Sequence, residues 1–224
     1  MTLKAENLSR RYMRKTGQAN YFYAVRGASL ELRPGEVTVL MGRSGSGKTT
    51  LLHMLSGLLT PTEGRVTLGD TDLYALGDAA LSRLRNERIA VAPQSRSAID
   101  SLSVLENVLL PGTMYGSGNE DEARRWLEAL NILHLAGARP AELSGGELRR
   151  MAIARALAQR PTALLADEPT GDLDDANTKR VLTVLKEAAT AGIAVLIVSH
   201  DSEAANYADG LYRMDGGVIE ALRS

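Results

Sequence analysis

The stretch Val37-Thr38-Val39-Leu40-Met41-Gly42-Arg43-Ser44-Gly45-Ser46-Gly47-Lys48-Thr49-Thr50 decides how the rest of this chain is read. Its first five residues are almost wholly apolar, which predicts a strand covered on both faces. Gly42 to Thr49 then match the pattern GxxxxGK[ST], and a helix is expected from Lys48 to Gly57. A strand, this loop and a helix in succession form the setting that a phosphate-binding loop requires. Glycines let the backbone curl until successive N–H groups point inward at phosphate oxygens, and the helix adds the positive end of its dipole. Lys48 supplies a full positive charge for the β- and γ-phosphates of a nucleotide. The Thr49 hydroxyl is placed to ligate a Mg²⁺ that neutralises them. Gly42, Arg43, Ser44, Gly45, Ser46, Gly47, Lys48, Thr49 and Thr50 are therefore candidate nucleotide contacts. A merely flexible Gly/Ser loop is the alternative, and the strand-loop-helix setting argues against it.

Outward from this loop, two more apolar runs, Ala163 to Ala166 and Ala194 to Val198, read as parallel strands of the same buried sheet. Helices are expected from Glu120 to Asn131, Gly146 to Gln159 and Asn177 to Ala191, several ending near Gly or Pro. The fold class is α/β. Leu3 to Leu8 and Ala28 to Leu32 alternate apolar with polar residues, and Tyr212-Arg213-Met214 and Val218-Ile219-Glu220 flank the turn signal Asp215-Gly216-Gly217. Antiparallel strands are thus expected beside a mainly parallel core. No strong strand run lies between Ser95 and Gln159, which predicts a helical subdomain over 95–159 and a nucleotide-binding core over 1–94 and 160–224, together one domain.

Composition narrows the function classes. A chain of 224 residues with 44% hydrophobic residues can bury a substantial core. The 26 Lys and Arg nearly cancel the 27 Asp and Glu, so no global positive field recruits nucleic acid, and no nucleic-acid partner is expected. With no cysteine, disulfides and thiolate metal sites are excluded. The longest stretches without a charge, such as Thr49 to Thr62, fall short of the roughly 18 apolar residues of a membrane span. The first residues, Met1 to Glu6, lack the basic-then-apolar pattern of a secretory signal, so a cytoplasmic location is expected, with any membrane role requiring a partner.

A phosphate-binding loop alone leaves kinases, GTPases, helicases and transport ATPases open. Leu164-Leu165-Ala166-Asp167-Glu168 is an apolar strand ending in two carboxylates, an arrangement in which Asp167 can hold a magnesium shell and Glu168 can orient or deprotonate water. Two such acids often only make a turn or cap a helix. The continuation Pro169-Thr170-Gly171-Asp172-Leu173-Asp174 is hard to read that way. Further upstream, Leu143-Ser144-Gly145-Gly146-Glu147 opens a helix with a hydroxyl and free backbone N–H groups, a second anion site besides the first loop.

With LSGGE placed between a phosphate loop and an acidic strand, the sequence resembles the ATP-binding-cassette family over nearly its whole length. That resemblance implies ATP and Mg²⁺ as ligands and ATP hydrolysis as the activity, with the fold of a P-loop NTPase. It implies roles residue by residue. Gln94 falls where the family senses magnesium and the γ-phosphate, although Pro93 stands where an aromatic is usual. His200 matches the switch histidine that works with Glu168. Asp174 matches the aspartate that links the two nucleotide sites of a dimer. Lys48, Glu168, His200 and Gln94 are the expected catalytic group, and Thr49, Gln94 and Asp167 the expected metal contacts. Ser144, Gly145 and Gly146 are expected to close on ATP held by a second copy of the chain. His53 and His134 have no such context and read as structural.

Tyr12 is at about the family's position for stacking on adenine, while the nearby Tyr21-Phe22-Tyr23 could supply the ring instead. Basic clusters, Arg10-Arg11, Arg14-Lys15 and Arg83 to Arg88, read as solvated faces. Within the family the run Ala138 to Glu147 and the TGDLD loop look most like ATPases of MacB-type transporters, which implies an integral membrane permease as partner and a place on the cytoplasmic face of the membrane. A cell-division relative acting on a cell-wall hydrolase, and a cassette ATPase acting on DNA or ribosomes, are the rival readings. No NKxD motif is present to suggest a GTPase.

Overall fold

In the computed structural model, which describes residues 1–13, 21–95 and 97–223, the three apolar runs lie side by side at the centre of one sheet. The Arg14-Lys15 cluster falls outside the described residues. In chain order the strands are β1 (Leu3–Met13), β2 (Tyr21–Leu32), β3 (Val37–Met41), β4 (Glu63–Leu68), β5 (Thr71–Asp72), β6 (Ile89–Ala92), β7 (Ala163–Asp167), β8 (Ala194–Ser199), β9 (Gly210–Asp215) and β10 (Val218–Arg223). The α-helices are α1 (Lys48–Leu55), α2 (Asp78–Arg88), α3 (Val104–Met114), α4 (Glu120–Ala129), α5 (Gly145–Ala158) and α6 (Asp175–Thr190). No helix among the described residues is long and apolar enough to cross a membrane.

The main sheet has the order β10-β9-β3-β8-β7-β6, with β9 to β6 parallel and β10 pairing antiparallel to β9 at the edge. The second sheet, β2-β1-β4-β5, is antiparallel throughout. Alternation along the central strands assigns their side chains to two cores. Val37, Val39, Leu164, Ala166, Val195 and Ile197 face a core shared with α3 to α6, whereas Leu40, Leu165, Leu196 and Val198 face α1 and the antiparallel sheet. These residues are fully buried. Truncating one such leucine costs about 2–5 kcal/mol. An exposed ion pair such as Arg83–Glu87, at 3.9 Å, contributes roughly 0–1 kcal/mol, so the layered core and not surface charge holds the fold.

Sequence and structure part at several elements. β9 joins the parallel ladder through β3, so only β10 of the last hairpin runs against the core. β1 and β2 extend well beyond their alternating segments. The four-residue β6 was too short to stand out, and Pro93 ends it because proline cannot donate to a ladder. Helix α2 fully buries none of its residues and sets only Leu81 and Leu84 against the core, which is less than the apolar stripe that would announce it. Between residues 95 and 159 the described residues contain α3, α4, α5 and short 3₁₀ turns but no strand.

Candidate active site

Strand β3 delivers the phosphate-binding loop to the C-terminal edge of the sheet, where open α/β sheets hold their ligands. Two glycines are required there by shape. Gly47 has φ 107°, and a Cβ on it would meet the Ala24 carbonyl oxygen at 2.1 Å. A Cβ on Gly42 would meet the Met214 carbonyl oxygen at 2.4 Å. Gly47 is also the N-cap of α1 and brings no side-chain cap, so the first-turn N–H groups of the helix have no side-chain acceptor there. Lys48 is nearly buried, and its ammonium donates to the Gly42 carbonyl at 2.7 Å and the Arg43 carbonyl at 3.0 Å.

Parallel pairing of β7 beside β8, itself beside β3, brings the two carboxylates of the acidic strand under this loop. The Thr49 hydroxyl donates to Asp167 Oδ2 at 2.9 Å. Asp167 Oδ1 is buried without a hydrogen-bond partner. Burial raises the Asp167 carboxyl above its usual range, partly opposed by the Thr49 hydrogen bond. An orphaned oxygen beside a hydroxyl is a pair of hard oxygen donors that suits Mg²⁺, which takes one or two protein oxygens and leaves the rest of its shell to phosphates and water. No group of three or more His, Cys, Asp or Glu able to hold a metal occurs among the described residues.

Glu168 follows in a left-handed conformation, φ 49°, unusual for a side-chain-bearing residue. Its N–H donates to the Val198 carbonyl at 2.8 Å, extending the β7–β8 ladder by one residue. Its Oε2 accepts from His200 Nδ1 at 2.9 Å, with the His200 N–H and the Ser199 hydroxyl each at 3.3 Å. With Nδ1 donating, His200 Nε2 stays free, and the imidazole is largely exposed.

The loop, Glu168 and His200 line one cavity of about 990 Å³, and Asp167 lies behind its wall, bonded to Thr49. Tyr12, Arg43, Ser44, Gly45, Gly47, Lys48, Thr49, Thr50, Gln94, Glu168 and His200 are on its wall, so most of the expected nucleotide contacts come together. Gly42 and Ser46 stand just behind, inside the loop. Both aromatic candidates reach the cavity: Tyr12 is stacked on Phe22 with centroids 5.8 Å apart, and Tyr23 also lines it, whereas Tyr21 does not. Gly216 and Gly217 join them from the β9–β10 turn, with the Gly217 N–H donating to the Ser46 carbonyl at 3.0 Å. The sequence marks these glycines as a turn but not as part of a site. Neither His53 nor His134 lines the cavity.

Ser144, Gly145, Gly146 and Asp174 do not reach this cavity. Ser144 caps α5, its hydroxyl accepting from the Glu147 N–H at 3.3 Å while Glu147 Oε2 accepts from the Ser144 N–H at 2.7 Å. The Ser144 hydroxyl, which donates to Glu147 Oε2 at 2.7 Å, and then the Ser144 N–H hold the Glu147 carboxyl below its usual range. Gly145 is open to solvent, with nothing within 4 Å of where its Cβ would be. Asp174 caps α6, held below the usual carboxylate range by the backbone and side chain of Asn177. One chain thus carries a cavity around its phosphate loop and, apart from it, the exposed edge of Ser144 and Gly145.

A phosphate loop after β3, a buried aspartate tied to its threonine and a glutamate held against a histidine define a P-loop nucleoside triphosphatase. The chain belongs to the ABC transporter family, whose model matches residues 25–171, and it is an ABC-type ATPase. The lipoprotein-releasing system ATP-binding protein LolD of Pseudomonas syringae pv. tomato is 41% identical over 201 residues, covering 87% of this chain and 88% of that protein. LolD 2 of Caulobacter vibrioides is 41% identical over 203 residues, covering 89% of each. Among solved structures, the dimeric bacterial ABC transporter cassette MJ0796 superposes with a TM-score of 0.89 at 33% identity over 99% of both chains. The same cassette in a post-hydrolysis state with ADP and Pi matches with a TM-score of 0.89 at 32% identity, again over 99% of both chains.

Proposed function

We propose that this chain is the ATP-hydrolysing subunit that powers a separate integral membrane permease, in a MacB-type exporter whose cargo is hydrophobic or amphipathic, such as a lipoprotein, drug, peptide or haem. The observation that carries the reading is a separation: the phosphate loop, Glu168 and His200 share one cavity, with Asp167 behind its wall on the Thr49 hydroxyl, while Ser144 to Gly146 lie outside it. Each half lacks what the other offers, so the working unit is a dimer with two composite ATP sites. The relative MJ0796 is dimeric, which supports this arrangement.

In that dimer the phosphate loop and Lys48 bind the triphosphate, and Tyr12 stacks on adenine. Thr49 and Asp167, with Gln94, would hold Mg²⁺, which supplies charge neutralisation for the phosphates. Glu168 orients the attacking water and accepts its proton, and His200 fixes the carboxylate and faces the γ-phosphate through its free Nε2. Ser144 and Gly146 of the partner close the site. Loss of the γ-phosphate removes contacts across the interface, and the halves part.

For the division of the chain we propose a nucleotide-binding core over 1–94 and 160–224 and a helical subdomain over 95–159. Leu58, Met114 and Tyr115 are large exposed apolar side chains lining a cleft of about 400 Å³ between α2 and α3. That cleft is the surface we assign to the permease, which would place the subunit on the cytoplasmic face of the membrane. The lipoprotein-releasing names of the two LolD relatives favour lipoprotein among the cargoes. The test is co-purification of the chain from membranes and identification of what comes with it: a polytopic permease is expected, and recovery with ribosomes or DNA and no membrane protein would overturn the reading.

A further inference from the structure

Two adjacent arginines of α5, Arg149 and Arg150, leave this helix, which the LSGGE signature opens, toward the loop that follows Glu168 in the same chain. The Arg149 guanidinium is largely buried, donates through Nη1 to the Glu168 carbonyl, and places Nη2 3.7 Å from Asp172 Oδ2. Glu168 and Asp172 are the two left-handed residues of this loop, φ 49° and 62°, and one guanidinium bonds the backbone of the first and pairs with the exposed carboxylate of the second. The loop fits closely around the clamp, since a Cβ on Gly171 would lie 3.1 Å from Arg149 Nη1. Arg150 makes a second tie: its Nη1 donates to Asn177 Oδ1 at 2.8 Å, and the Asn177 amide donates to Asp174 Oδ2 at 2.8 Å. Gly146 supplies a third, packing so closely on Leu173 that a Cβ would sit 2.8 Å from Cδ2.

We propose that Arg149 is a positioning residue that couples engagement of the signature helix to the set of Glu168 in the same chain, so that closing on the partner's ATP prepares a chain's own ATP for hydrolysis. The inference rests on the reading of Glu168 as the carboxylate that orients water and of Ser144 to Gly146 as the edge that closes on the partner's nucleotide. Its physical basis is rigidity. A helix that shifts as it meets the triphosphate carries the guanidinium with it, and the hydrogen bond from Arg149 passes that shift to the Glu168 backbone. Arg149 touches no reacting atom, so it should govern the rate of the chemical step and leave ATP capture alone.

The experiment measures kcat and KM for ATP, and ATP-driven association, for purified full-length Arg149→Gln and Arg149→Lys beside Glu168→Gln. Arg149→Gln is expected to lower kcat at least tenfold with KM within about twofold of the parent and association retained, and Arg149→Lys, which keeps one donor for the Glu168 carbonyl, to recover part of the loss. If Arg149→Gln does not fold, Gly171→Ala tests the same clamp by crowding the guanidinium, with kcat expected to fall severalfold at unchanged KM. Parent kcat in the folded variants, or KM and association lost together with kcat, would overturn the coupling role. If Glu168→Gln itself turns over at the parent rate, the underlying reading of the site fails instead.

Discussion

The Thr49 hydroxyl donates to Asp167 Oδ2 at 2.9 Å and leaves the buried Oδ1 of the same carboxylate with no partner. That relationship is costly without a cation, because an ionised carboxylate oxygen in a dry site has exchanged water for nothing. The folded chain consequently holds the Asp167 proton more tightly than the unfolded chain does. The penalty is absent below the ordinary aspartate value of roughly 3.9, grows as pH rises toward the raised folded value, and is full above it. Asp167→Asn should therefore melt at a higher temperature than the parent at neutral pH in metal-free buffer, with the difference closing as pH approaches 4. Added Mg²⁺ with ATP should reverse the order, since only the parent carboxylate would gain a cation. Thermal melts of both proteins with and without Mg²⁺-ATP check this.

Lys48 bonds to the Gly42 and Arg43 carbonyls at 2.7 and 3.0 Å, holding the ammonium inside the loop where the triphosphate would lie. A charge-assisted hydrogen bond contributes about 1.5–3 kcal/mol. Lys48→Ala should thus weaken ATP binding roughly tenfold to a hundredfold, measured by titration calorimetry, with a smaller change for AMP.

Tyr12 stacks on Phe22, and Tyr21 stays off the cavity wall while meeting Tyr23 edge-on. Stacking on a base is worth about 1–3 kcal/mol. Tyr12→Ala should weaken ATP accordingly and Tyr12→Trp should preserve binding, Phe22→Ala should cost less than Tyr12→Ala, and Tyr21→Ala should change nothing. A larger loss from Tyr21→Ala than from Tyr12→Ala in the same binding assay would reassign the platform.

Because Ser144 is exposed and away from its own chain's cavity, Ser144→Arg should leave nucleotide binding to the single chain intact while abolishing ATP-driven association. Sedimentation of Ser144→Arg in a Glu168→Gln background, with bound nucleotide quantified, reads both properties. Loss of binding by the isolated chain would place Ser144 in its own site.

Much of this molecule is legible in the sequence where the physics is local. The apolar runs of β3, β7 and β8 announce strands buried on both faces, and the glycines of Gly42 to Thr49 announce a backbone that must curl. Spatial convergence is not local. Nothing in the order of residues says that the turn at Gly216 and Gly217 reaches the phosphate loop, because only the β9–β3 pairing brings it there. Phe22 and Tyr12 become neighbours through an antiparallel register, and the Arg149 contact with Glu168 depends on how α5 lies against β7. Helix α2 sets only Leu81 and Leu84, both partly buried, against the core, too narrow a stripe to announce a helix.

The most direct test of the account is single-turnover phosphate release by Glu168→Gln alongside its ATP-driven association. Glu168 is held by His200 and Ser199 at the cavity wall and makes no contact with the phosphate loop that an amide would break. The predicted result is a stable ATP-bound dimer whose phosphate release is slowed at least a hundredfold, the order expected when a general base is lost. Phosphate release at the parent rate from a correctly folded Glu168→Gln dimer would contradict it.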